Sequence, residues 1–343
     1  MATKVIGVIL TYNRKELLEL CLKAIHSQTR PCDMILVINN ASTDGTLEFL
    51  KSGKYPNIKV YSLKINVGAA GGFNTGFRLA YDNGADHVWM MDDDVIPESD
   101  ALEKLLVADE LLERKGMSRS YLLSTAYTEH GQVTNTPQVS NARNRAGYFG
   151  WPEQLEHGLV AVGSGTFVSI LVPRNTLEKY GLPISSMYIW GEDAEFTLRI
   201  TRDKPGYLVG TSRVAHLRHG GGTISIVTES NPIRIRYYKN FIRNNLYISR
   251  KYKTRRRTVS ILFNNVVLAL KMLVKRRPRK ACIIVLGLVQ SFGFRPKIDF
   301  VNSDYDYSNV RVSFPAADCE EVEANNSQER VEGISQLEYV RQT

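Results

Sequence analysis

The chain of 343 residues has only four cysteines. Cys21, Cys32, Cys282 and Cys319 show no CxxC spacing and no accompanying histidine pattern. That argues against a disulfide framework or zinc cluster and points to reduced thiols. No uninterrupted run of about 20 apolar residues occurs, so no membrane-crossing helix is expected. The apolar run over residues 5–10 is too short for a secretory leader and leads into a polar loop, so none is expected there either. Internal repeats are absent. Between Ser230 and Lys297 there is not one Asp or Glu, against 18 Lys and Arg. The net charge of +9 therefore hides a basic C-terminal segment and a remainder with 26 basic against 35 acidic residues. Hydrophobic content of 43% and charged content of 23% are those of an ordinary globular protein long enough to bury a large core.

What the chain does have is an alternation of short apolar runs and amphipathic stretches. Residues 5–10, 34–38, 58–63 and 87–91 read as buried strands. Between them, residues 15–28 show helical spacing, with Leu17, Leu18, Cys21, Leu22 and Ile25 on one face. A polar loop over 39–46, with Thr43 or Asp44 able to cap a following helix, precedes the third strand. A glycine-rich turn over 66–72 opens a helix near residues 73–83. This order predicts an α/β fold with a mostly parallel sheet and helices on both faces. A helix over 102–115 follows, then extended stretches at 121–126 and 160–172 around an irregular region at 130–156. A turn and helix over 189–200 and a strand from Arg213 into a glycine loop come next. Helical periodicity returns from Ile233, and the polar, acidic residues beyond 315 read as disordered.

Three constellations carry chemistry. Asp92, Asp93 and Asp94 follow an apolar strand and are stopped by Pro97. Adjacent carboxylates repel, so such a cluster calls for a cation or tight hydrogen bonding. Oxygen ligands of this kind suit Mg²⁺ or Mn²⁺ shared with phosphates. A solvated acidic turn before a helix explains the same residues. Trp190-Gly191-Glu192-Asp193 sets two carboxylates at a helix start, either a general base or dipole-complementing charges. His216 and His219 beside a triple glycine could bind a metal or a phosphate, or be structural. The first, second and fourth strands end in Thr11-Tyr12-Asn13-Arg14, in Asn39-Asn40-Ala-Ser-Thr-Asp44 and in the Asp cluster. In a sheet of this type those ends meet at one crevice, the natural place for a nucleotide.

In this order, Thr11-x-Asn13-Arg14, the Asn-Ala-Ser-Thr-Asp-Gly-Thr loop, Asn66-x-Gly68, Asp92-x-Asp94, Glu192-Asp193 and His216 resemble an inverting family 2 glycosyltransferase of GT-A fold over residues 4–250. Asn66-Val-Gly68, the Trp-Met-Met-Asp-Asp-Asp segment and Trp190-Gly-Glu-Asp are most like bacterial galactofuranosyltransferases, with rhamnosyltransferases using a dTDP donor as nearest rivals. The resemblance implies a nucleotide-sugar donor bound by Thr11, Asn13, Arg14, Asn39, Asp44, Asn66, Gly68, Asp92, Asp93 and Trp190. It implies Mn²⁺ or Mg²⁺ held by Asp92, Asp94 and His216, with His219 as the alternative ligand. Asp193 would be the catalytic base with Glu192 beside it. The family usually has Asp where this chain has Asn39, which weakens the expectation for the nucleobase. A non-catalytic relative that kept the fold is the rival from another class.

The expected organisation is a catalytic domain over 1–230, a helical basic extension over 231–315 and a disordered tail over 316–343. Basic clusters around amphipathic stretches at 250–297 suit an anionic membrane surface. That would fit a cytoplasmic enzyme, peripheral to the inner face of the membrane, whose acceptor is a lipid-linked glycan. A solvated helical appendage is the plainer reading. Nucleic acid is not expected as a partner, since no nucleic-acid fold is visible. Arg243 and Asn244 could face the acceptor or the diphosphate.

Overall fold

The computed structural model describes residues 3–217 and 224–313. His219, the triple glycine and the expected acidic tail lie outside the described residues. The first half runs β1 (Val5–Thr11), α1 (Lys15–His26), β2 (Met34–Asn39), α2 (Thr46–Lys51), β3 (Ile58–Leu63), α3 (Gly68–Asp82), β4 (His87–Asp92) and β5 (Val95–Pro97). The strands β3-β2-β1-β4 pair in parallel. They are covered on both faces, which is why they read as continuous apolar runs. One face packs Leu18 and Leu22 of α1 against Ile9 and Trp89. The other packs Phe73 and Phe77 of α3 against Val8 and Met90.

The second half extends the sheet with mixed polarity. It runs α4 (Ala101–Arg114), β6 (Leu122–Tyr127), β7 (Val133–Thr134), β8 (Gln138–Val139), β9 (Leu159–Ser164), β10 (Ile170–Pro173), α5 (Arg174–Tyr180), α6 (Glu192–Ile200) and β11 (Gly206–His216). β10 lies antiparallel between β4 and β6, and β11 pairs parallel with β6. Register decides where the chemistry gathers. Leu10 is opposite Asp92, and Thr11 is opposite Asn39. The end of β11 runs antiparallel to β5, with His216 opposite Val95. The Leu217 N–H then donates to the Asp94 carbonyl at 2.9 Å, which delivers His216 to the acidic cluster.

Several sequence expectations are corrected. The glycine-rich segment is not a turn before a helix: α3 already begins at Gly68. A Cβ at Gly72 would stand 2.3 Å from Leu10 Cδ1, so this glycine lets α3 close onto β1. The strand expected from Arg213 begins at Gly206, and α5 had no periodic signal long enough to read. The extended stretch at 160–172 is two strands, broken between Ser164 and Ile170.

α7 (Pro232–Tyr252), α8 (Arg255–Val274) and α9 (Pro278–Gly293) pack on one another around Tyr238, Ile242, Leu246, Met272 and Ile284. Asn231 and Thr254 cap α7 and α8 through their side chains. The chain then returns to the sheet, and β12 (Val310–Ser313) pairs antiparallel with β3. α8 is long and apolar enough, by length and composition, to cross a membrane, and little of it is buried. The expectation of no such helix rested on an uninterrupted apolar run, and α8 meets the measure with Asn264, Asn265 and Lys271 inside it.

The return segment is tied by Arg78 of α3, which is 2% exposed. Its Nη1 donates to the carbonyls of Val301 and Ser303 at 3.1 and 3.0 Å, and its Nη2 to Phe300 at 2.9 Å. The Tyr305 ring covers the guanidinium at 4.8 Å. Arg78→Met keeps the stem but leaves three carbonyls without their charged donor. We expect a loss of about 2–4 kcal/mol in urea unfolding, with faster proteolysis of residues 298–313. Unchanged stability and cleavage would contradict this role.

Candidate active site

Three adjacent carboxyl groups at the end of β4 are accommodated by different partners. Asp93, 3% exposed, points back to β1: Thr11 Oγ1 donates to its Oδ2 at 2.8 Å and Arg14 Nη1 to its Oδ1 at 3.2 Å. Burial pushes its carboxyl up to about 6, against the opposing pull of Arg14 and Thr11. Asp94 takes a second bond from Arg14 Nη1, at 2.8 Å on Oδ2. Burial raises the Asp94 carboxyl, but His216 and Arg14 outweigh it and hold it below the ordinary range. Among the described residues Asp92 has no such partner, and burial with its two neighbouring carboxylates pushes it well above the ordinary range.

The Oδ1 of Asp94 is buried and without a hydrogen-bond partner. It faces Nε2 of His216 at 3.3 Å. The other ring nitrogen, Nδ1, meets Asn135 Oδ1 at 2.9 Å. An amide oxygen accepts, so Nδ1 carries a hydrogen and Nε2 is the ring atom turned to Asp94. A proton on Nε2, or a cation between the two atoms, satisfies the facing Asp94 oxygen. This donor set, carboxylate oxygens with one imidazole, fits a divalent ion with open positions. Among the described residues no group of three or more His, Cys, Asp or Glu side chains is placed to hold a metal ion.

Opposite the acidic cluster, α6 begins with Glu192 and Asp193. Phe196, on the same helix, stacks on Phe77 at 5.6 Å, and Thr197 Oγ1 accepts from the Gly165 N–H at 3.0 Å. Those contacts fix the helix. Burial pushes both carboxyls above their ordinary range, Glu192 further because the Asp193 charge adds to it. Asp193 Oδ1 accepts from the Ala194 N–H at 2.6 Å, whereas Glu192 Oε2 is buried and has no partner.

The loop leading into α6 is strained. Tyr188 and Trp190 have φ of 66° and 63°, and Gly191 has φ of 110°. Left-handed backbone at aromatic residues persists only where surroundings impose it. Here the imposition comes from α7. Asn244, fully buried, sets Nδ2 at 3.0, 3.2 and 2.9 Å from the carbonyls of Met187, Ile189 and Trp190. Its two N–H groups are shared among the three acceptors. Arg243 Nη2 donates to Ser186 and Met187 carbonyls at 3.0 and 3.1 Å. From the other side, the Ala70 N–H donates to the Tyr188 carbonyl at 3.0 Å. Gly68 passes so close that a Cβ would stand 2.1 Å from that oxygen. The expectation that Arg243 and Asn244 face an acceptor or diphosphate is corrected: both are engaged by loop carbonyls.

These walls enclose a cavity of about 670 Å³, large enough for a nucleotide sugar by the usual range of ~300–1,000 Å³. Thr11, Arg14, Asn66, Gly68, Asp92, Asp93, Asp94, Trp190, Glu192, Asp193 and His216 all line it. Three expected nucleotide-binding residues do not. Asn13 Oδ1 accepts from the Thr43 N–H, and Asp44 accepts from the N–H groups of Lys15 and Thr46, so both staple loops. Asn39, 2% exposed, donates to Ser62 and accepts from the Ser42 N–H. Sequence reading missed Asn40, Asn135 and Tyr188, and the α7 wall of Ile233, Arg234, Tyr237 and Phe241. Asn40 stands in a loop already singled out, and it bridges to the Gly68 carbonyl at 3.1 Å. The others carry no local signal. Asn244→Ala should lower stability by about 1–3 kcal/mol in urea unfolding and open residues 186–191 to protease. Wild-type behaviour in both assays would mean the loop holds itself.

Residues 8–113 match the model of glycosyl transferase family 2. The chain is 28% identical over 243 residues to the galactofuranosyltransferase GlfT1 of Mycolicibacterium smegmatis, covering 64% of this chain and 72% of that protein. It is 27% identical over 230 residues to GlfT1 of Mycobacterium tuberculosis, covering 65% and 72%. Among solved structures, it is similar to the crystal structure of GalNAc-T7 with UDP, GalNAc and Mn²⁺. The TM-score is 0.51 at 15% identity, over 71% of this chain and 47% of that one, a likeness of fold alone. Residues 8–113 thus carry a glycosyl transferase family 2 domain, the fold is of the GT-A kind, and the chain resembles the galactofuranosyltransferases in sequence.

Proposed function

We propose that this protein transfers galactofuranose from UDP-galactofuranose, with inversion, to a lipid-linked polysaccharide at the inner face of the membrane. The observation that carries the reading is one cavity holding two sets of carboxyl groups with different tasks: an acidic cluster with an unpartnered oxygen on Asp94, and the Glu192-Asp193 pair raised in basicity. The sugar rests on the sequence likeness to galactofuranosyltransferases.

Asp92, Asp94 and His216 would hold Mn²⁺ or Mg²⁺, which when bound supplies positive charge to a leaving diphosphate. Asp93 does not share that task, because Thr11 and Arg14 already occupy both its oxygens. It holds β1 and β4 together under the site. Arg14, itself half exposed, neutralises part of the cluster and stands where a phosphate would arrive.

Asp193 supplies the base. Of two adjacent carboxyls in one buried setting, the one pushed up further keeps its proton, and that is Glu192. Asp193 is therefore the ionised member at neutral pH, and its raised basicity suits it to take a proton from an attacking acceptor hydroxyl. Glu192, protonated and without a partner, is left able to donate a hydrogen bond to substrate. Attack from the face opposite the leaving group inverts the anomeric centre.

The test is donor turnover with Mn²⁺, lipid-linked acceptor and UDP-galactofuranose, UDP-galactopyranose or dTDP-rhamnose. UDP-galactofuranose should be selected, and a preference for dTDP-rhamnose would overturn the sugar. Asp193→Asn should lower kcat by ~10²–10⁴-fold with donor affinity kept, whereas Glu192→Gln, which mimics the protonated acid, should retain most activity. Near-wild-type turnover by Asp193→Asn would remove the base assignment. The acid limb of kcat/KM should also lie above an ordinary aspartate's ~3.9. A raised pKa means the base is lost at a higher pH as acid is added, and Glu192→Gln, neutral like the protonated acid it replaces, should leave that limb in place.

A further inference from the structure

α8 carries an apolar stripe that nothing in the described chain covers. Val259, Phe263, Val266, Leu270 and Leu273 recur at spacings of four and three, which puts them on one helix face, and all are exposed. Phe263 is 65% exposed. The residues α8 does bury, Ala269 and Met272, lie on another face, against α7 and α9. α9 repeats the pattern: Val285, Val289 and Phe292 share one exposed face, while Ala281, Ile284 and Leu288 pack inward. Neighbouring helices that each leave such a stripe in water are incomplete as a soluble surface.

The charge around the stripes indicates what completes it. Arg255, Arg256 and Arg257 open α8, Lys275, Arg276 and Arg277 form the turn into α9, and Arg279 stands in the first turn of α9. All are exposed, and among the described residues none makes an ion pair. Apolar side chains flanked by cations match an anionic bilayer surface, whose headgroups attract the arginines while the stripe enters the acyl boundary. A nucleic acid would answer the charge but would leave the Phe and Val side chains in water.

We infer that the exposed stripes of α8 and α9, with their basic ends, are a membrane seat on which the protein lies without crossing the bilayer. Length argues against crossing. α9 has 16 residues, and at about 1.5 Å per residue it spans ~24 Å, short of the ~30 Å hydrocarbon core. α8 has basic clusters at both ends, so crossing would carry one of them through the core. The seat also connects to the site. α7 buries Tyr238, Ile242 and Leu246 against α8 and α9 while its Ile233, Tyr237 and Phe241 line the cavity. One helix thus joins the lipid-facing surface to the wall of the cavity. The inference deepens the lipid-linked acceptor reading above, but it is tested without turnover.

Flotation of the full-length protein with phosphatidylcholine vesicles, with and without phosphatidylglycerol, is the direct experiment. Binding should require phosphatidylglycerol, be released by high salt or carbonate, and fall more than about 10-fold in the Phe263→Glu/Phe292→Glu double variant. Arg255→Gln/Arg256→Gln/Arg257→Gln should weaken it by about 100-fold. Both variants should keep wild-type unfolding and UDP affinity, so a lost seat is separable from a lost fold or a failed donor reading. No flotation, equal binding to neutral vesicles, extraction only by detergent, or preferential binding of an RNA competitor would each overturn the seat.

Discussion

Three consecutive carboxyl groups at the end of one buried strand are the constraint around which this molecule is arranged. Left alone they would repel and drive the strand end into water. Instead Thr11 and Arg14 take up Asp93, Arg14 also takes Asp94, and β11 is folded back so that His216 faces the remaining Asp94 oxygen. What is left is one raised carboxyl, Asp92, and one buried Asp94 oxygen that no hydrogen bond from the described residues satisfies. The cluster is thereby half satisfied by protein and half open to a ligand. That division is what separates it from an acidic turn at a helix start.

The second half of the site depends on a helix that does not belong to the sheet. A backbone stretch with two aromatic residues at positive φ carries Trp190 and leads into Glu192 and Asp193. Asn244 and Arg243 of α7 hold its carbonyls, and Gly68 allows α3 to close from the other side. The strain is local, and the donors that oppose it come from two distant parts of the chain. The Glu192-Asp193 pair keeps its position relative to the acidic cluster only while α7 is docked. The basic helical segment is therefore a structural part of the site.

Much of this was legible before the fold was seen. The four parallel strands announced themselves as apolar runs because both faces are covered, and the acidic cluster, the Glu192-Asp193 pair and His216 were visible as residue types at strand and helix ends. What could not be read was the use of neighbours. Asp44, Asn13 and Asn39 have the chemistry of nucleotide ligands, but Thr46, Thr43 and Ser62 engage their oxygens and amides, the last two from separate parts of the chain. The glycines of α3 are permissive in sequence and become meaningful only against Leu10 and Tyr188. Asn244 and Asn135 have no pattern around them, because their partners lie 54 and 81 residues away. The return of residues 298–313 to the sheet is invisible for the same reason: Arg78 reaches across 222 residues to the Phe300 carbonyl.

The central proposal is that Asp92, Asp94 and His216 would hold a divalent cation that receives a nucleoside diphosphate. Calorimetric titration of UDP into the purified protein tests it most directly, with Mn²⁺ present and with Mn²⁺ removed by EDTA. The account predicts saturable UDP binding with Mn²⁺ that weakens strongly without it, and the same weakening in Asp94→Asn with Mn²⁺ present. UDP bound equally well in EDTA, or unaffected by Asp94→Asn, would contradict it.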